Sequence, residues 1–247
     1  SRSVHSDTTI EVVEERGVRS LHLGTGAIQS SMRLTRPWDL ELAYTRAMMA
    51  FLLFVPEPSD ILMIGLGGGS LAKFIRKRRP NARIQAVELN PQVVAAARDH
   101  FFLPPDDDRL QVRIEDGAAY VPAHPRSADV ILLDGYDAGN QVEALATLEL
   151  YRACRQALKP GGALSVNLWS QDRGFPDYFS RLVEAFDGQV CSLTVQGRSN
   201  RVALGLEDDR GPARLEKGLS EAMHLGRFWG LDLLRFGKDL RWARANK

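Results

Sequence analysis

The stretch Ile61-Leu62-Met63-Ile64-Gly65-Leu66-Gly67-Gly68-Gly69-Ser70-Leu71 decides the fold. With Asp60 it reads as a buried strand that runs into a glycine turn and then a helix from Leu71 to Arg78. Glycines let the chain turn sharply and let a ligand approach the backbone, while the N–H groups of the following helix face the gap. The dinucleotide fingerprint G-x-G-x-x-G is not completed, because Ser70 stands at its last glycine position.

Strand and helix alternate outward from this unit. Arg83 to Leu89 reads as a second strand and Pro91 to His100 as a helix with proline in its first turn. Leu110 to Glu115 and Ala128 to Asp134 are the third and fourth strands. A helix over Glu149 to Leu158 is expected to stop at Lys159-Pro160-Gly161-Gly162, ahead of a fifth strand from Ala163 to Leu168. Near-continuous apolar strands separated by helices mean a parallel sheet covered on both faces. After a helix over Tyr178 to Phe186 come two more strands, Val190 to Val195 and Arg201 to Leu206. The link between them is too short for a parallel crossover, so they pair as an antiparallel hairpin at the sheet edge.

Upstream, Thr8 to Leu34 reads as short strands and Leu40 to Phe54 as a helix ended by Pro56. Glu216 to Ala245 reads as one or two helices without an assigned role. The expected fold class is α/β. The expected sheet is Rossmann-like, parallel strands plus a terminal antiparallel hairpin, which resembles the methyltransferase type, with a small N-terminal β element. The expected division is a β element over residues 1–46 and a nucleoside-binding catalytic domain over residues 47–247.

Composition narrows the partners. In 247 residues, 32 Lys and Arg balance 31 Asp and Glu for a formal charge of +1, which argues against a general nucleic-acid binder. Lys73, Arg76, Lys77, Arg78 and Arg79 form one basic cluster, read as cations favoured at a helix C-terminus rather than a nucleic-acid patch. The longest apolar run, Ala47 to Val55, is too short to span a bilayer and lacks a cleavage site, so neither a membrane span nor a signal peptide is expected. Met48 to Phe54 reads as core. Cys154 and Cys191 make no C-x-x-C pair, which favours a reducing, cytoplasmic setting. The five histidines form no H-x-H or H-x-x-x-H pattern, so no metal site is expected.

The strand ends carry the chemistry. Glu88 closes the second strand, where a carboxylate accepts two hydrogen bonds from a ribose diol. Asp116 follows the third, placed to accept from an adenine amino group, with Gly117 letting the ring lie close. Singly, Glu88 reads equally as a solvated strand end and Asp116-Gly117 as a plain turn. In series with the glycine turn, along the edge where such sheets bind ligands, they read as an adenine nucleoside pocket.

The fourth strand ends Leu132-Leu133-Asp134-Gly135-Tyr136-Asp137-Ala138. Together with Gly65-Leu66-Gly67-Gly68-Gly69-Ser70, Glu88-Leu89-Asn90, Asp116-Gly117 and a G-x-x-Q element at Gly26 to Gln29, this resembles the spermidine synthase (polyamine aminopropyltransferase) family from about Val12 to Gly162. The resemblance implies that Gln29, Gly65, Gly67, Gly68, Glu88, Leu89, Asp116 and Gly117 hold decarboxylated S-adenosylmethionine. It implies Asp134 as the catalytic carboxylate, Tyr44, Tyr136 and Asp137 at an amine acceptor such as putrescine, and a homodimer through the N-terminal strands.

Three departures bear on substrate. The family's G-G-G-D-G acid is Ser70 here, its Y-Q-E is Tyr44-Thr45-Arg46, and the late hairpin carries Arg198-Ser199-Asn200-Arg201. Without an acid at position 70, repulsion of a donor carboxylate is reduced, so intact S-adenosylmethionine stays open as the donor. A methyltransferase and a non-catalytic nucleoside-binding relative are the alternatives on the same fold.

Overall fold

The computed structural model describes residues 9–24, 27–137, 140–195, 197 and 199–244, with the side chains of residues 137, 140 and 141 left aside. A three-stranded antiparallel sheet opens the chain: β1 (Ile10–Glu15), β2 (Val18–Leu23) and β3 (Ala27–Arg33). Its inner face sets Leu21, Leu23 and Met32 against Val93, Ala96 and Phe101. So small a sheet has no core of its own, and its burial is shared with the main domain.

The helix read over Leu40 to Phe54 is shorter than its pattern. An α-helix, α1 (Ala43–Met48), tightens into a 3-10 turn over Met49–Leu53. Every residue of that turn is buried, and at the backbone of Leu53 there is no room for even a Cβ on Gly218 of the long helix crossing it. Close packing, rather than propensity, sets the local winding.

The main sheet follows in the expected rhythm: β4 (Asp60–Ile64), α2 (Ser70–Arg78), β5 (Arg83–Glu88), α3 (Pro91–His100), β6 (Leu110–Ile114), α4 (Gly117–Tyr120) and β7 (Ala128–Leu133). A two-residue hairpin, β8 (Tyr136–Asp137) with β9 (Asn140–Gln141), leads to α5 (Leu148–Ala157), β10 (Leu158–Trp169), α6 (Phe175–Ala185), β11 (Val190–Thr194) and β12 (Asn200–Leu206). The strand order ends β11-β12-β10-β7-β4-β5-β6, in which β6, β5, β4, β7 and β10 run parallel. β12 pairs antiparallel with both β10 and β11, as the short link requires.

Two strand readings change. β10 begins at Leu158, not Ala163: Leu158 pairs with Ala128, and a bulge over Lys159–Gly162 lets the strand resume at Ala163 opposite Val130. The Pro-Gly-Gly sequence reads as a stop, but with Gly161 at φ +81° it serves as a kink inside the strand. The C-terminal region forms α7 (Gly211–Trp229) and α8 (Leu233–Asp239), then an unexpected strand β13 (Arg241–Trp242). β13 pairs with Cys191 and Ser192 and covers the β11 edge, which would otherwise be exposed.

One core lies on the α2, α3 and α7 face of the sheet and includes Met48 to Phe54; the other packs α5 and α6 against the opposite face. The basic cluster at the end of α2 is taken up locally, Arg76 by Asp107 and Arg78 by the Trp229 carbonyl and the Phe74 ring. Lys73 does not belong with it. It is 1% exposed, and its Nζ donates to the Phe101 carbonyl at 2.7 Å, beneath the N-terminal sheet.

Candidate active site

The carboxyl ends of β4, β5, β6 and β7 meet along one edge, where α/β sheets bind ligands. Gly65 leaves β4 with φ +89°, and a Cβ there would lie 2.3 Å from the Asp134 carbonyl oxygen, so glycine is required for the two strand ends to touch. Gly69, also left-handed, is the N-cap of α2 and supplies no side-chain cap. The first N–H groups of that nine-residue helix therefore face the turn.

Glu88 spans the turn. Its Oε1 accepts from the Leu66 N–H at 3.1 Å and its Oε2 from the Asn90 N–H at 3.0 Å. Burial pushes its carboxyl pKa up, while these backbone donors oppose the shift. Each oxygen keeps a lone pair for a further donor. Leu89, 66% exposed, and Ile114, 54% exposed, leave apolar surface beside it at the ends of β5 and β6. Asp116 is the N-cap of α4, accepting from the Ala118 N–H at 2.9 Å, and Gly117 is packed on Ile64. The glycine turn, Glu88, Leu89, Asp116 and Gly117 thus share one edge.

Asp134 sits at the junction of two cavities. One, of about 160 Å³, is lined by Ile28, Gln29, Leu42, Tyr44, Asp134, Tyr136, Asn167, Trp169 and Asn200 among others. The second, narrower and about 20 Å³, runs from Tyr44 and Asp134 past Ser30, Thr45 and Ser70 to the glycine turn. The Tyr44 hydroxyl donates to Asp134 Oδ2 at 3.0 Å and lies 3.1 Å from the Gln29 carbonyl oxygen. Asn167 Nδ2 donates to Asp134 Oδ1 at 3.1 Å, and Asn200 Nδ2 donates to Asn167 Oδ1 at 2.9 Å. Burial raises the Asp134 pKa, and the hydrogen bonds from Asn167 and Tyr44 work against it. Burial, with Asp134 second, also raises the Tyr44 pKa, so its hydroxyl stays a donor.

Gln29 reaches the Tyr136 carbonyl, which ties β3 to the loop after β7. The Tyr136 phenol turns inward, buried and without a hydrogen-bond partner among the described residues. The side chain of Asp137, Gly26 of the G-x-x-Q element, Ala138 and Arg198 lie outside the described residues. In the narrow cavity, Ser70 Oγ is 3.1 Å from Ser30 Oγ, a neutral hydroxyl pair. Asn167, Trp169 and Ser30 also lie in this site and belong to no motif in the sequence; the available signal for Asn167 is a polar residue near the carboxyl end of a mostly apolar strand.

Among the described residues, no group of three or more His, Cys, Asp and Glu could hold a metal ion, and no helix is long and apolar enough to cross a membrane.

The strand order, with a half-buried carboxylate between two cavities at the carboxyl edge of the sheet, is that of the methyltransferase-type fold class. The pattern of the Spermine/spermidine synthase domain matches residues 41–171. A polyamine aminopropyltransferase of Chromobacterium violaceum is 40% identical over 239 residues, covering 97% of this chain and 92% of that protein. The chain belongs to the spermine/spermidine synthase family and is a transferase of the polyamine aminopropyltransferase type. In fold it resembles a probable spermidine synthase from Corynebacterium glutamicum, with TM-score 0.72, 20% identity and coverage of 90% of this chain and 91% of that one. Human methyltransferase-like protein 13, solved with SAH, is similar at TM-score 0.63 and 24% identity over 83% of this chain and 96% of that one.

Proposed function

We propose that this chain moves an aminopropyl group from decarboxylated S-adenosylmethionine to a small amine such as putrescine, with Asp134 as the base. The observation that carries this reading is the placement of Asp134, whose carboxylate faces both cavities and is held through each oxygen by a neutral donor. The donor lies along the strand-end edge, its ribose on Glu88 and its adenine against Leu89, Asp116 and Gly117. The propyl arm follows Gly65, Gly67 and Gly68 into the narrow cavity beside Gln29. The amine enters the wider cavity by Tyr44 and Tyr136, with Asp137 for a distal charge.

The reaction is one displacement. An alkyl ammonium has a pKa near about 10.4, by analogy with lysine, so it must lose a proton before it can attack. Asp134 accepts that proton and orients the nitrogen. The lone pair then forms the new N–C bond, the C–S bond breaks, and its electron pair neutralises the sulfonium. A neutral thioether leaves. No metal is required.

Ser70 and Ser30 give the narrow cavity hydroxyls where an acid would select a terminal ammonium, so we extend the reading to tolerance of intact S-adenosylmethionine. A cytoplasmic homodimer paired through the N-terminal strands completes the proposal. Incubation with putrescine and decarboxylated S-adenosylmethionine, read by mass spectrometry, should show the aminopropylated amine, and Asp134→Asn should lose it while retaining nucleoside binding. Methyl transfer instead, or binding without any product, would replace this reading. Turnover by Asp134→Asn would remove the role of Asp134.

A further inference from the structure

Asn167 and Asn200 form a directed hydrogen-bond chain that ends on Asp134. Asn167 lies on β10 opposite Val202, and Asn200 on β12 opposite Trp169, so the two amides meet diagonally across the β10–β12 ladder. Asn200 Nδ2 donates to Asn167 Oδ1 at 2.9 Å, and Asn167 Nδ2 donates to Asp134 Oδ1 at 3.1 Å. Asn167 is 3% exposed, so its amide relies on protein partners more than on bulk water.

An amide side chain is nearly symmetric in shape but opposite in polarity at its two ends. Were Asn167 reversed, its oxygen would face the Asp134 carboxylate, lone pair against lone pair, and its NH2 would face the Asn200 NH2. The observed orientation suits an ionised carboxylate; the reversed one suits a protonated acid. By donating to the oxygen of Asn167, Asn200 favours the first of the two. Asn200 also lines the wider cavity, so whatever enters that cavity touches the outer end of the chain.

We propose that Asn200 is a positioning residue, which fixes the amide of Asn167 with its NH2 on Asp134 and so keeps that carboxylate ionised and aimed into the cavity. The inference rests on reading Asp134 as the base. Asn167 touches the reacting carboxylate directly, whereas Asn200 acts only through it. Among the described residues, the titratable groups that face Asp134 are Tyr44 from α1, Tyr136 from β8 and, more distantly, Glu88 from β5. The hydrogen-bond partners of Glu88 lie on Leu66 and Asn90, so substitutions at 167 and 200 leave them in place.

The test is a pH profile of kcat/KM for the acceptor amine at saturating donor, in the full chain, for Asn200→Leu, Asn167→Leu and the double variant. Asn200→Leu is expected to move the acidic limb up by about half a unit, a roughly threefold loss on the limb measured relative to the variant's own high-pH plateau. Asn167→Leu should move it further, and the double variant should match Asn167→Leu alone. Where leucine at 200 prevents folding, Asn200→Ala carries the same expectation. An unmoved limb in the position-200 variant, or shifts that add in the double variant, overturns the proposal. Asp134→Asn, measured alongside, separates the two readings: if it still turns over, the base assignment fails; if it is dead while the limb of the position-200 variant stays put, only the positioning role fails.

Discussion

The Tyr44 hydroxyl lies 3.0 Å from Asp134 Oδ2 and 3.1 Å from the Gln29 carbonyl oxygen, so one phenol joins the N-terminal sheet to the carboxylate at the end of β7. Its pKa is pushed well above the usual tyrosine value by burial, with the Asp134 charge adding to the effect. It therefore remains a donor across the working pH range. The N-terminal sheet is thus part of the site, since its Gln29 carbonyl offers this hydroxyl a second acceptor beside Asp134.

Replacing Tyr44 by Phe removes one of the two donors that oppose the raised Asp134 pKa. The carboxylate then ionises only at higher pH, and with Asp134 as the proposed base activity is lost on the acidic side first. Asp134 holds its charge poorly without donors, so kcat/KM should fall about tenfold near neutrality and recover in part as pH rises. Thermal unfolding of the variant, compared with that of the native chain, separates this from misfolding. Equal losses at every pH would contradict the role given to the hydroxyl.

The same carboxylate leaves a mark on stability. Its pKa is higher in the folded chain than in the unfolded one, so the native state binds the proton more tightly. Any stability that this provides is fully present below the unfolded value, about 3.9, and is lost as pH rises through the folded value. Asp134→Asn removes that dependence. The difference in Tm, variant minus native, should therefore increase from about pH 4 to about pH 7.5. A difference that is flat or falls with pH would sink it.

The strand ends were legible because each has a local signature: a glycine turn after an apolar run, an acid after the next strand, Asp-Gly after the third, Asp134 after the fourth. The hydrogen bonds that hold Asp134 were not, because Asn167 and Asn200 become neighbours only through the register of β10 against β12. That register depends on the hairpin and on the bulge after Leu158, which hides behind Lys159-Pro160-Gly161-Gly162, a sequence that reads as a stop. The 3-10 turn at Met49–Leu53 was hidden for a similar reason, its winding being set by α7 packed against it. Local pattern placed the strand ends. Tertiary pairing arranged the carboxylate.

Lys73 shows how far charge in a sequence can mislead about a surface. Its ammonium is enclosed by Met32 and Phe101 and bonded to the Phe101 carbonyl, and burial lowers its pKa to about 8. A lysine depressed in the fold carries a cost that is complete below that value and is relieved as the folded amine gives up its proton. Native stability relative to Lys73→Met should then rise between about pH 8 and pH 10, by on the order of 2 kcal/mol. Denaturant midpoints of the two chains at both pH values measure it. Parallel curves would mean that the amine stays charged with a partner in the fold.

The proposed tolerance of intact S-adenosylmethionine turns on Ser70. Its hydroxyl pairs with Ser30 at 3.1 Å, and of the residues around that narrow cavity only Asp134 is acidic among those described. A terminal ammonium and an amino-acid zwitterion differ by one carboxylate, so a neutral wall discriminates weakly between them. Calorimetry on the native chain should give affinities for decarboxylated and intact S-adenosylmethionine within about tenfold of each other. Ser70→Asp adds a charge that attracts the ammonium and repels the carboxylate, which should widen the ratio in favour of the decarboxylated donor by about ten- to a hundredfold. A native chain that already rejects the intact donor at that level would show that selection comes from elsewhere, with Asp134 itself the nearest charge able to supply it.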